Sequence, residues 1–208
     1  MGHPPPIVLA TLTEIEKELG LPAGFLFALY GEDDWSFIIK SHAVIEAWVS
    51  VELTRALKDN RLTPVFESLE LSTADTGKLA FAKALGLLTD RQRRFIRRLS
   101  ELRNRLVHNI RNVSFELRDY VQHLDTNQLK SFVEAVTHFV DKTDNESWNR
   151  WRQSVRNNPK PAVFASTLSV LAKTYFTRKI ANLDAELAAL DENDKLLDEI
   201  IGKDTETP

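Results

Sequence analysis

The chain contains no cysteine, which excludes a disulfide framework, a thiolate nucleophile and any cysteine-based zinc site. Glycine occurs only seven times and proline eight in 208 residues, and three of those prolines are stacked at Pro4, Pro5 and Pro6. So few breakers leave room for long uninterrupted elements. No stretch of about eighteen uncharged apolar residues exists, so no membrane span is expected. The nearest approach, 162–172, is short and carries Ser166, Thr167 and Ser169. The start, MGHPPPIVLA, has no basic region followed by a long apolar core, so no signal peptide is expected. A cytoplasmic location is the expectation, and the missing cysteines agree with a reducing compartment.

What is present favours helices. Hydrophobic residues make up 43% and charged residues 27%, the balance of a globular protein rich in Leu, Ala, Glu and Arg. An all-α fold is predicted. The net charge is −3, which argues against indiscriminate nucleic-acid binding, but the charges are not evenly spread. Eight arginines stand between Arg91 and Arg111 against one acid, Glu101. Nine acids stand between Asp184 and Glu206 against Lys195 and Lys203. The middle is basic and the end acidic.

The stretch 90–109, DRQRRFIRRLSELRNRLVHN, reads as one amphipathic helix. Phe95, Ile96, Leu99, Leu102, Leu106 and Val107 recur at helical steps, with arginines between them. Thr89 and Asp90 are candidate N-caps and Asn109 a candidate stop. A second strong helix spans 33–57. Its Trp35, Ile38, Ile39, Ile45, Trp48, Val49, Leu53 and Leu57 form a stripe too wide for one neighbour, so it should lie centrally in a bundle. Shorter helices are expected over 11–19, 75–88, 127–140 and 147–155. The 75–88 helix is expected to form an antiparallel hairpin with the arginine helix. A last long helix is expected over 162–190 after the break at 157–161, then an acidic, disordered tail over 191–208. Residues 1–6 read as an extended lead-in. The expected organisation is therefore short N-terminal helices (1–32), a bundle core (33–145), a C-terminal helical extension (146–190) and the tail.

One short motif has chemistry in it. Arg103 and Asn104 are followed by His108, so a guanidinium, an amide and an imidazole fall within six residues. This Arg-Asn-x-x-x-His pattern near the end of a long helix resembles the hallmark of the HEPN superfamily. Ser41-His42-Ala-Val-Ile45-Glu46 looks like the central helix of its small bacterial members. Lys78 to Leu88 looks like the lysine-to-Leu-Gly helix that precedes their motif. Proteins of the mannitol-operon-repressor type are also similar. The resemblance covers roughly 33–140. It implies a HEPN-like helical bundle, a homodimer in which two motifs share a groove, and a metal-independent RNA endonuclease without cofactor, often a toxin paired with an antitoxin or a defence effector. On that resemblance His108 would be the acid–base group, Arg103 the phosphate clamp and Asn104 the orienter of the imidazole. The chemistry suits those side chains: histidine titrates near neutrality, and arginine holds phosphate through a bidentate fork. Arg94, Arg98, Arg105 and Arg111 could collect the RNA backbone. The mannitol-repressor likeness equally allows a non-catalytic regulator, or a dimeric protein-interaction module.

Plainer readings stand beside these. Arg103 could pair with an acid in the bundle, and His108 could complement the helix dipole in a last turn. His42 and Glu46 lie one turn apart and read as a packed pair supporting the groove rather than as metal ligands, two residues being too few. Trp148 and Trp151, flanked by Arg150 and Arg152, could stack bases or pack in a core. Asp75-Thr76-Gly77-Lys78 superficially looks like a phosphate loop. It lacks the earlier glycine, and Leu79 stands where a magnesium-binding hydroxyl belongs. His3, His123 and His138 carry no signal.

Overall fold

A computed structural model describes residues 5–73, 75–108, 110–141 and 143–204, and these are helical with no strand among them. The chain is all-α, as its composition predicts. The expected stop Asn109 and the outermost residues of both termini lie outside the described set.

Helix α1 (Pro6–Glu18) begins inside the proline run rather than after it. Pro6 occupies the first helical turn, where its missing N–H costs nothing and its fixed φ is already helical. After a turn at Gly20 come the four residues of α2 (Phe25–Ala28) and a 3₁₀ turn (Leu29–Gly31). Buried Glu16 reaches forward across these turns and accepts the Gly24 and Leu26 N–H groups, each at 2.8 Å. Helix α3 (Asp34–Ala56) starts at Asp33, whose carboxylate accepts the Ser36 N–H. A 3₁₀ turn and α4 (Thr63–Ser68) lead to α5 (Lys78–Ala84), then α6 (Asp90–Val107). A capping box closes the start of α6: Thr89 accepts from Gln92 N–H, and the Gln92 side chain accepts the Thr89 N–H. After a 3₁₀ turn (Ile110–Ser114) follow α7 (Leu117–Gln122), α8 (Thr126–Val136), α9 (Asn145–Asn157) and α10 (Lys160–Asp204).

The wide stripe on α3 has the predicted consequence. This helix packs against α4, α5, α6 and α10, and buries Phe37, Ile38, Ile45, Trp48 and Leu53 completely. Trp48 donates its indole N–H to Thr174 Oγ1 on α10 at 2.6 Å, so the largest core side chain keeps its polar atom satisfied. Asp34, in the first turn, accepts the Leu117 N–H through one oxygen and pairs with Lys160 at 3.1 Å through the other. The starts of α7 and α10 are thereby fixed to the start of α3.

Several expected boundaries move. The helix predicted over 75–88 is only α5, because the segment before it is folded back on itself. Gly77, Lys78 and Leu79 donate their N–H groups to the carbonyls of Thr73, Glu70 and Leu71. A β-carbon on Gly77 would sit 2.7 Å from Thr73 backbone atoms, so the close approach requires glycine. The far end of α5 closes at Gly86, in the left-handed region at φ 67°, with Leu87 N–H bonded to Ala82 O and Gly86 N–H to Lys83 O. The expected hairpin with α6 is also corrected, since α5 packs on α3 instead. Helix α8 stops at Val136, short of Val140, and the turn beyond it carries His138 into the core against Phe95. Burial pushes His138 down to about 4, against the pull of the Ser166 carbonyl, so a histidine that carries no sequence signal is a neutral core residue. Helix α10 continues past Leu190 to Asp204.

One charge cluster joins α1, α3 and α10. Glu18 pairs with Arg55 and with Arg178 at 3.0 Å, while Arg178 lies over the Trp48 and Tyr175 rings. Buried Glu52 comes within 3.2 Å of Arg178 Nε without hydrogen-bond geometry. Burial raises Glu52 from 4.5 to about 7, only partly offset by Arg178 and Arg55, and Glu18 adds to the rise. Between these two values the folded protein holds a proton that the unfolded chain releases, so stability falls as pH rises across the window. Glu52→Gln keeps the shape of the neutral acid. Urea unfolding at pH 5 and pH 7.5 should show wild type losing up to ~3 kcal/mol relative to this variant. Parallel pH dependence in the two proteins would refute the assignment.

Candidate functional site

The side of α6 that meets α3 carries a polar ladder within an otherwise apolar contact. Ser100 follows buried Leu99 and lies one turn from buried Ile96, and its hydroxyl donates to the Ile96 carbonyl at 2.9 Å. His42 Nε2 lies 3.1 Å from the Ser100 hydroxyl, within hydrogen-bond distance, and His42 Nδ1 faces Glu46 Oε2 at 3.7 Å. The other Glu46 oxygen accepts from Lys78 Nζ at 3.1 Å. Lys78 is only 2% exposed, an unusual burial for an ammonium group, and Glu46 is the counter-charge that permits it.

Arg103 lies one helical turn beyond Ser100 on the same side, near enough for its charge to act on His42. Burial is the main cause holding the His42 imidazole below its ordinary value. Glu46 opposes it, while Arg103 and Lys78 add to it. His42 and Glu46 are therefore a packed pair inside the bundle. The half-buried Arg103 guanidinium donates through Nη1 to Asn104 Oδ1 at 3.0 Å. Asn104 is exposed, and so is His108, the C-cap residue of α6. Asn112 reaches back to donate to the Arg105 carbonyl at 2.9 Å, closing the last turn next to His108.

The other expected arginines lie elsewhere. Two residues apart on a helix means about 200°, so Arg105 points away from Arg103. Arg105 lies over the Tyr120 ring and, with Arg98, lines an open groove of about 660 Å³ that also includes Asn112 and His123. Arg98 binds Glu101 and Ser131, each at 2.9 Å, and Arg94 approaches Glu134 at 3.7 Å. Arg111 is exposed in the 3₁₀ turn after α6. The basic stretch is thus divided between two flanks of one helix: Arg103 faces α3, and Arg94, Arg98 and Arg105 face α7 and α8. Trp151 sits edge-on to Phe139 at 5.0 Å, as in a core, whereas Trp148 lines a second open groove of about 1040 Å³ with Lys130, Arg152 and Arg156. The segment at Gly77 cannot cradle a phosphate, because its N–H groups and Lys78 are already engaged within the fold.

Sequence reading does not reach Ser100. The one signal for it is a small hydroxyl residue in the apolar stripe of α6, buried against His42. No family model, curated protein or solved structure matches the chain.

Glu46 is the pivot of the ladder. Glu46→Ala should destabilise the protein by about 3 kcal/mol, because it leaves the buried Lys78 ammonium uncompensated. Lys78→Met should cost much less and should raise the His42 pKa, by removing a positive charge that now depresses it. Chemical denaturation, together with NMR titration of the His42 ring, reads both effects.

Proposed function

We propose that the chain is a HEPN-like, metal-independent RNA endonuclease acting as a homodimer, with the motif of α6 as its active site. The observation that carries this reading is the exposure of His108 and Asn104 at the open end of α6, beside a guanidinium that Asn104 holds in place. On one protomer Arg103 and His108 are about 140° apart around the helix. A second motif lying alongside is what would bring an arginine and a histidine onto the same phosphate.

Each group then has a defined task. His108 takes the proton from a ribose 2′-hydroxyl as that oxygen attacks the adjacent phosphorus. The second copy's histidine gives a proton to the departing 5′-oxygen. Arg103 stabilises the charge that grows on the non-bridging phosphate oxygens. The P–O5′ bond breaks as the P–O2′ bond forms, leaving a 2′,3′-cyclic phosphate and a 5′-hydroxyl. The nucleophile belongs to the substrate, so this route needs no metal-activated water. The groove lined by Arg98, Arg105 and Tyr120 offers cations and an aromatic face for the flanking strand.

A second reading is favoured by the polar ladder. A HEPN-fold regulator of the mannitol-repressor type would use the same surface to bind a partner without chemistry, and the closed His42–Glu46–Lys78 arrangement suits a rigid scaffold. RNA cleavage in EDTA separates the two. The nuclease reading predicts 5′-hydroxyl products, with rates at least 10²-fold lower in His108→Ala and Arg103→Ala at unchanged melting temperature. Intact RNA after incubation with dimeric wild-type protein would give the answer to the regulator. Slow growth on expression of wild type, relieved by His108→Ala, would mark a toxin.

A further inference from the structure

Beyond Arg178, α10 leaves the body of the protein. Every side chain from Lys179 to Asn193 is exposed, yet this arm is not polar all round. Ile180, Leu183, Leu187 and Leu190 are 57–60% exposed. Their steps of three, four and three residues place them on one seam of the helix, at the a and d positions of a heptad. In the sequence the same spacing resumes at Leu197 and Ile201. A solvated helix gains nothing from leucines on one line, and a row of large aliphatic side chains in water marks a surface that is covered in use.

The residues bordering the seam indicate what covers it. Asp184 and Asp191 occupy the e positions, and Lys179, Glu186 and Asn193 the g positions, so the e border is acidic and the g border mixed. A second copy of the chain is a poor occupant. Side by side and parallel, two such helices match Lys179 with Asp184 but set Glu186 of one against Asp191 of the other, so a second copy meets the acidic border with a single cation. Antiparallel, they set Glu186 against Glu186 and Asp184 against Asp191. Charges at e and g select partners, and like charges there disfavour pairing.

We infer that the distal part of α10 is a docking seam for a helix of a different protein, one with aliphatic residues at heptad spacing and lysine or arginine where it faces Asp184, Glu186 and Asp191. The seam is remote from the α6 motif in the chain and holds whether or not that motif cleaves RNA. The partner's aliphatic side chains interleave with Ile180, Leu183, Leu187 and Leu190, and its cations lie over Asp184, Glu186 and Asp191. The aliphatic contact supplies affinity, and the charges supply choice of partner and a salt-dependent rate of association.

The test uses the full-length protein and two synthetic helical peptides with leucine at a and d. One carries lysine at e and g, the other glutamate. Fluorescence anisotropy should show the lysine peptide binding at least tenfold more tightly than the glutamate peptide, with the preference shrinking in 0.5 M salt. Leu183→Asp/Leu187→Asp should lose binding at least tenfold while the melting temperature of the body stays the same. Asp184→Lys/Glu186→Lys, which leaves the aliphatic seam intact, should reverse the preference between peptides. Equal affinity for the two peptides, or no binding of either, overturns the inference. So does sedimentation showing that the full-length protein self-associates through this seam and that Leu183→Asp/Leu187→Asp abolishes the association.

Discussion

Helix α3 is covered by α4, α5, α6 and α10 over most of its surface. Its buried imidazole and inward-facing carboxylates therefore meet partners from other elements. His42 finds Ser100 on α6, Glu46 finds Lys78 on α5, and Glu52 approaches Arg178 on α10. These contacts are long-range in sequence and highly specific in geometry. Leucine-on-leucine packing would tolerate a helix sliding by a residue, whereas a hydroxyl facing an imidazole would not. The apolar stripe makes the bundle collapse, and the polar rungs decide which neighbour lies where.

The same arrangement explains why α6 has two characters. Its α3-facing flank is constrained, with Ser100 and Arg103 set among buried charges. Its opposite flank carries Arg94, Arg98 and Arg105 in shallow pairs with Glu134, Ser131 and an aromatic ring. Exposed pairs of that kind add little stability and exchange readily with water or a ligand. The end of α6, where Asn104 and His108 emerge, is the point at which the constrained flank reaches solvent.

The sequence showed the helical class, the central place of α3 and the capped start of α6 plainly, because each rests on local periodicity or on capping residues. It showed less where the outcome depends on distant partners. The shortening of α5 follows from backbone bonds between Gly77–Leu79 and a loop several residues earlier, which no helical period contains. His138 is silent in sequence because it lies in a turn, and only the packing of Phe95 and the Ser166 carbonyl makes it a core residue. The pairing of His42 with Glu46 was visible as one-turn spacing, but Lys78 and Ser100 enter through tertiary contact alone. The acidic C-terminal stretch looked like a solvated tail because its charges outweighed the alternation of leucines among them.

Helix α10 also changes the proportions of the molecule. Its 45 residues make a rod about 65 Å long at the usual rise per residue. The first part lies in the bundle, gripped by Lys160 at one end and Arg178 at the other. Such a rod behaves as a lever: a few degrees of tilt where it is held would sweep its free end through several ångströms. Tumbling in solution should accordingly be anisotropic, slower end-over-end than about the long axis, and unlike that of a sphere of the same mass.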